Sequence, residues 1–204
     1  MTVEITPPAS GTQLSYRIAS RQDLPLLIQL REECGWGADK IAAFLDDPDR
    51  VYCIFQLPVD GHLQDVGMAC WVLENKSDPE TASRAHQSVF LASLFIRQPF
   101  QKRGLGAQAM DILERAAGEQ YGAKWVTLDT AAFLVRYSED VGYWVEWMDK
   151  PNPTVAWYLK RGYSRYREDI PFIVAPIPPD PMRKITTVFL RKPASAALST
   201  DSGP

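Results

Sequence analysis

Cysteine and histidine are scarce in this chain of 204 residues, with three of the former and two of the latter. Cys34, Cys53 and Cys70 are odd in number and fall in no metal-ligand spacing, which argues against a disulfide framework or a zinc module. Cys53 and Cys70 lie inside apolar runs, where a reduced, buried thiol is the ordinary occupant. A basic excess is also missing: 22 Lys and Arg stand against 25 Asp and Glu, for a net charge of −3. A dedicated nucleic-acid binder normally carries the opposite surplus, because it must neutralise phosphates. Nor does any run approach the about 20 apolar residues that a bilayer-spanning helix needs. The polar, proline-containing start has no basic segment leading into an apolar one. The expectation is a cytoplasmic protein, a nuclear location remaining open, with no metal, membrane or nucleic-acid partner.

What is present reads as one globular domain, 46% hydrophobic and 23% charged. Residues 14–18 alternate apolar and polar, as a half-buried strand does. Asp23 stands as a helix N-cap with Pro25 in the first turn, before an apolar stripe of Leu24, Leu27, Ile28 and Leu30. A second short helix is expected over 39–45. Apolar runs at 51–57 and 66–73 flank Asp60-Gly61 and predict a hairpin. After a polar loop at 75–87, residues 89–96 are almost wholly apolar, the mark of a central strand buried on both faces. Leu105, Ala109, Ile112, Leu113, Ala116 and Ala117 recur at helical spacing. A strand at 125–128, a helix at 154–161 closed by Gly162, a strand from Tyr163, a proline-rich loop at 171–181 and a strand at 185–190 complete the domain. Residues 1–13 are expected to form a flexible arm and 193–204 a disordered tail. The mixture of hairpins with one crossover makes the class mixed α/β, or α+β.

The stretch Ile96-Arg97-Gln98-Pro99-Phe100-Gln101-Lys102-Arg103-Gly104-Leu105-Gly106 leaves a buried strand, crosses a polar turn and opens a helix. Glycines at 104 and 106 let backbone N–H groups close on an anion, and the helix start adds unpaired donors and a positive dipole end. Lys102 and Arg103 add charge at its lip. The same glycines, followed by Ala109 and by Asp129 at the end of the next strand, also fit a dinucleotide fingerprint. Context disfavours that alternative, an oxidoreductase. A polar segment separates strand from glycines, a hairpin precedes them, and repeated βαβ units are missing.

Gln101-x-x-Gly104-x-Gly106 after Ile96 resembles motif A of the GNAT N-acetyltransferase superfamily. Asn152, Tyr158 and Gly162-Tyr163 resemble its motif B. Tyr16-Arg17-Ile18 with Asp23-Leu24-Pro25 is similar to its first strand and helix. The resemblance spans residues 14–192 as a single domain with an insertion near 133–151. It implies a twisted, mostly antiparallel sheet of about seven strands with about four helices. It also implies acetyl-CoA, and hence coenzyme A, as the cofactor. In the family, the diphosphate lies on backbone amides, which here would be those of Lys102, Arg103, Gly104, Leu105, Gly106 and Ala107, with Gln101 and Asn152 beside them. Backbone donors at Leu94, Phe95 and Ile96 would face the oxyanion, and Tyr158 would protonate the departing thiolate.

An amine must lose a proton before it attacks a thioester. Residues 89–96 contain no carboxylate to take it; Asp129, Glu32 and Glu33 are the candidates. The segment 133–150 carries Trp144 and Trp147 among acids. Such a surface suits a cationic amine, although an inserted amphipathic helix anchored by its tryptophans fits the same residues. Trp36 stands where the family admits its acceptor, so Glu32, Trp36, Asp129, Trp144 and Trp147 form the acceptor set. The expected partner is a small-molecule or amino-acid-like amine. A peptide lysine or N-terminus, and a catalytically silent acyl-CoA-binding module, are the alternatives. Monomer and homodimer are both compatible with the sequence.

Overall fold

The computed structural model describes residues 13–35, 37–138, 143–174 and 183–194. In chain order these form β1 (Ser15–Ile18), α1 (Leu24–Glu33), α2 (Ile41–Leu45), β2 (Arg50–Val59), β3 (His62–Val72), β4 (Ser88–Ile96), α3 (Leu105–Tyr121), β5 (Trp125–Ala131), β6 (Phe133–Ser138), β7 (Tyr143–Pro151), α4 (Pro153–Lys160), β8 (Ser164–Val174) and β9 (Arg183–Pro193). Seven strands make one sheet in the order β1-β2-β3-β4-β5-β9-β8, while β6 and β7 pair separately. Among the described strands only β4 and β5 run parallel, joined by the α3 crossover; every other neighbouring pair is antiparallel. The expected sheet of about seven strands with four helices is what the chain forms.

Local chemistry explains the elements. Asp60 and Gly61 hold φ of 49° and 80°, the two left-handed residues that a twisted two-residue hairpin requires. Asp23 does occupy the N-cap position of α1, but its carboxylate does not cap the helix. It accepts from the Ser20 amide at 2.8 Å and pairs with Arg17 at 2.8 Å, and that guanidinium holds its pKa down to about 2. Residues 133–151 form a hairpin of β6 and β7, not a helix. Phe-Leu-Val and Tyr-Trp-Val are β-branched and aromatic runs that a pleated surface accommodates better than a helix does. Pro171 lies inside β8, so the strand continues into the stretch expected to be a loop; β8 is an edge strand, where a missing N–H is tolerated. Likewise β9 runs to Pro193, and residues 1–12 and 195–204 lie outside the described residues.

Helices cover both faces of the sheet. Cys53, Phe55 and Leu57 of β2 point to the side of α3 and α4, packing with Leu105, Ala109, Leu113, Ala117 and Tyr158. Tyr52 and Ile54 point to the other side, against Leu27, Leu30 and Ile41 of α1 and α2. Both thiols within the sheet are fully buried, which raises Cys70 to about 12 and Cys53 above that, as inert core groups. Trp71 is fully buried and donates its indole N–H to the Leu113 carbonyl at 3.2 Å, pinning α3 to β3.

A close approach between strands is made at Gly67 of β3. A Cβ there would stand 2.2 Å from the Phe95 carbonyl oxygen and 3.1 Å from the Ile96 Cα. Neither atom can move without displacing the end of β4. Gly67→Ala should therefore cost about 1–3 kcal/mol of stability, read as a lower urea midpoint with an unchanged slope.

Candidate active site

The site begins where β4 leaves β5. Their parallel pairing runs from Ser88↔Trp125 to Leu91↔Leu128 and stops, yet β4 continues to Ile96 and β5 to Ala131. On its other side β4 stays paired to β3, but with a bulge. Phe95 faces Met68 and Ala92 faces Cys70, so Ser93 and Leu94 together oppose Ala69. Ser93 takes φ of 58°, a conformation that costs a non-glycine residue roughly 1–3 kcal/mol. Its hydroxyl accepts from the Arg31 guanidinium at 3.1 Å. Bulge and parting strands together leave the β5-facing edge of Ala92–Ile96 without a strand neighbour among the described residues. The expectation of a strand buried on both faces thus holds for the first half of β4. Within that paired half only Phe90 is half-buried, whereas Ala92–Phe95 are all half-buried, and no β5 strand continues beside them.

The chain then makes the turn singled out in the sequence. Gln98–Phe100 is one 3-10 turn. The Gln101 side chain folds back and donates to the Ile96 carbonyl at 2.7 Å, while its own amide is taken by the Gln98 carbonyl at 3.1 Å. Gln101 therefore shapes the turn and has no free backbone donor. Lys102 and Gly104 both adopt left-handed φ, 62° and 77°, and α3 starts at Leu105. The Ala107 amide is taken by the Gly104 carbonyl at 3.1 Å. Among the described residues, the amides of Lys102, Arg103, Gly104, Leu105 and Gly106 have no hydrogen-bond partner. Consecutive unpaired amides at the start of a helix form a concave anion site, reinforced by the dipole of the helix behind it. A Cβ built at Gly104 or Gly106 meets no protein atom within 4 Å, so the space over the turn is open. Lys102 and Arg103 are exposed at its rim.

Two titratable groups stand at the parting strands. Asp129 is the first residue of β5 past the last β4 pair, and burial pushes its pKa up to about 6, with Arg167 opposing. Arg167 is itself held by Asp78 at 2.6 Å. Tyr158 of α4 is 8% exposed, and burial, with Asp129 next in effect, lifts it to about 12. Its phenol stays protonated throughout the neutral range. Asn152 caps α4: its side-chain oxygen accepts from the Thr154 amide at 3.0 Å, and its nitrogen donates to the Ala131 carbonyl at 2.9 Å. That residue joins α4 to the end of β5, which leaves it little with which to hold a ligand.

The remaining sequence-predicted residues separate. Glu33 is bound to Arg97 through two contacts of 2.7 and 2.9 Å, which ties its carboxylate to that guanidinium. Glu32 is exposed at the last turn of α1. Trp36 and the side chains of Trp144 and Trp147 lie outside the described residues; the backbones of the latter two pair with Tyr137 and Leu134 in the β6–β7 hairpin. That hairpin leaves β5 two residues beyond Asp129. It is fastened to β9 by Glu146, whose carboxylate accepts from the Thr186 amide at 2.6 Å and hydroxyl at 3.1 Å. One buried acid escaped the sequence reading. Glu114 sits in the apolar stripe of α3 beside Leu113 and Ala117, and an acid at core spacing was its signal. The dinucleotide alternative fails on topology, since a single parallel pair provides no doubly wound sheet.

Comparison with known proteins agrees with this architecture. The family model described as the acetyltransferase (GNAT) family matches residues 21–143. No curated protein matches the sequence. Among solved structures, spermidine N-acetyltransferase from Vibrio cholerae in complex with CoA and spermine superposes with a TM-score of 0.61 at 14% identity, covering 90% of this chain and 96% of that one. The ribosomal-protein-S18-alanine N-acetyltransferase from Escherichia coli gives a TM-score of 0.60 at 14% identity, covering 92% and 98%. At such identity the likeness is one of fold. With the family model matching more than half its length, this chain belongs to the GNAT acetyltransferases, a family of enzymes that use acetyl-CoA.

Proposed function

We propose that the protein transfers an acetyl group from acetyl-CoA to the amine of a small molecule by direct attack within a ternary complex. The observation that carries this reading is the run of partnerless amides from Lys102 to Gly106, set where β4 ends and α3 begins. A diphosphate is the anion that such a run fits, with Lys102 and Arg103 at the rim. The unpaired edge of Leu94, Phe95 and Ile96 would hydrogen-bond the amide-bearing arm of the cofactor as a sheet edge receives an added strand. Bound acetyl-CoA supplies a thioester carbonyl as the electrophile. Amides of that same edge would face the negative charge developing on the carbonyl oxygen.

Asp129, with its pKa near 6, is ionised at neutral pH and can take the proton of the attacking ammonium, directly or through water. Tyr158, with its pKa near 12, keeps the hydroxyl hydrogen that the departing sulfur needs. Positioning of the two reactants supplies much of the remaining rate. A small acceptor is proposed over a polypeptide on the ground that the β6–β7 hairpin follows β5 directly and is tied to β9 by Glu146, and so would bound the approach to Asp129. The similar folds named above act, by their descriptions, on a polyamine and on a protein alanine, so both acceptor types belong in the assay.

Purified protein should be screened with acetyl-CoA against polyamines, amino acids and lysine-containing or alanine-terminated peptides. Turnover is expected with a small amine. Faster turnover on peptides would transfer the assignment to protein acetylation, and stabilisation by acetyl-CoA with no turnover would leave a binding module. Gly106→Glu adds bulk and negative charge over the amides while suiting the first turn of a helix. The free variant should melt within a few degrees of the parent, yet lose the thermal shift that acetyl-CoA induces. Tyr158→Phe should lower kcat by about 100-fold or more with little change in KM for acetyl-CoA. Asp129→Asn should abolish the rise of kcat/KM through about pH 6. The raised folded pKa means that the native state binds this proton more tightly than the unfolded chain, so ionised Asp129 weakens the fold above about pH 6 and the penalty disappears below about 4. Asp129→Asn should therefore melt higher than the parent at pH 7.5 while being less active.

A further inference from the structure

Glu114 lies at 4% exposure in the apolar stripe of α3, and among the described residues no other charged side chain is as deeply buried. Its carboxylate is fully engaged. One oxygen accepts from Arg161 at 3.1 Å and from the Tyr163 hydroxyl at 3.2 Å; the other accepts from Lys192 of β9 at 2.6 Å. Arg161 also pairs with Asp111 at 2.7 Å, so two acids and two bases close a neutral set. A buried ionic cluster seldom stabilises a protein more than well-packed hydrophobic residues would. A leucine at this point of α3 would continue the stripe, and the acid therefore needs a reason other than stability.

The partners of Glu114 supply one. Arg161 and Tyr163 are also the two residues whose backbone amides converge on the Tyr158 carbonyl, at 3.0 and 3.1 Å. The Tyr163 ring packs edge-on against the Tyr158 ring with centroids 5.5 Å apart. The end of α4 is thus clasped from both sides, and both halves of the clasp are fastened to one carboxylate on α3. Gly162 between them takes φ of 90°, the reversal that brings Tyr163 back towards α3. We infer that Glu114 is a positioning residue for Tyr158, fixing the last turn of α4, and with it the phenol, through Arg161 and Tyr163. This rests on the reading of Tyr158 as the proton donor.

The cluster also sets the charge around that phenol. Asp129 from β5 and Glu114 from α3 oppose its ionisation, Arg161 at the end of α4 favours it, and Tyr163 faces it from the segment before β8. Replacing Glu114 by glutamine removes one opposing charge and leaves Arg161 and Lys192 in excess, so the phenolate becomes easier to form. The alkaline fall of kcat, where Tyr158 loses its proton, then moves to lower pH. A carboxylate that only held the core together would change stability without moving that limb.

The test is a double-mutant cycle of Glu114→Gln and Tyr158→Phe, assayed with acetyl-CoA and the best small amine of the screen above. It is read as kcat, KM for acetyl-CoA, and kcat against pH from 6 to 12. Glu114→Gln alone should lower kcat about tenfold, leave KM for acetyl-CoA within about twofold, and move the alkaline limb to lower pH. In the Tyr158→Phe background the same substitution should change kcat no further. Equal losses in both backgrounds, or an unmoved alkaline limb, overturn the positioning role. A Tyr158→Phe enzyme with parental kcat instead overturns the donor assignment, and the positioning role with it. If Glu114→Gln does not fold, Tyr163→Phe decides. It removes one bond to the carboxylate and no charge, and it should lower kcat severalfold only when Tyr158 is present; no loss, or the same loss without Tyr158, overturns the inference.

Discussion

Beyond Leu91 and Leu128 two parallel strands that have been hydrogen-bonded side by side stop pairing, and the rest of the molecule is arranged around that parting. A sheet normally keeps every interior strand paired, because an unpaired buried amide or carbonyl costs about as much as the hydrogen bond it lacks. Here the middle of a seven-stranded sheet has been opened. The bulge at Ser93 turns β4 away from β5, and β5 keeps its own backbone satisfied by pairing with β9 as far as Ala131. The bare edge of β4 and the bare amides after Gln101 are joined by the short turn at Gln98–Phe100. They are two separate donor sets, one at the sheet interior and one at the start of α3, divided by a turn in which the amides of Arg97, Phe100 and Gln101 are already taken.

Keeping such a wedge open requires rigid walls. On one side β3 approaches β4 so closely that only glycine fits at position 67, and Trp71 bolts the same strand to α3 by its indole hydrogen bond. On the other side Asn152 ties the first turn of α4 to the last carbonyl of β5. The Glu114 cluster ties the far end of α4 to α3 and β9. Tyr158 is therefore held between two fastened helix ends. Burial that would be a liability for a surface tyrosine here keeps its proton in place.

Asp129 illustrates how location sets chemistry. Had β4 and β5 stayed paired for one more residue, it would be an ordinary strand acid beside a neighbour. At the mouth of the wedge it is half-buried, burial raises its pKa to about 6, and its charge opposes the ionisation of Tyr158. An acid and a base with separated pKa values at one site are the arrangement that proton-transfer chemistry uses. The hairpin of β6 and β7 begins two residues past the same strand end.

The sequence by itself determined the elements whose signals are local. The Asp60-Gly61 hairpin, the stripe of α3, the glycine turn and the Tyr158-to-Gly162 helix end could all be read, because φ preferences and periodicity act within a few residues. Two local signals misled: 133–151 balanced helix against strand until tertiary pairing decided, and Pro171 marked an edge strand where a loop was expected. Only the tertiary structure decided which polar groups carry unusual chemistry. Glu33, Asp129 and Glu114 are all acids near apolar runs. One is neutralised by Arg97, one is desolvated at the parting strands, and one is clasped by Arg161, Lys192 and Tyr163. Their partners lie 47 to 78 residues away along the chain or are created by a gap in the sheet, and neither distance nor gap leaves a mark in local sequence, because both arise from how separate elements dock.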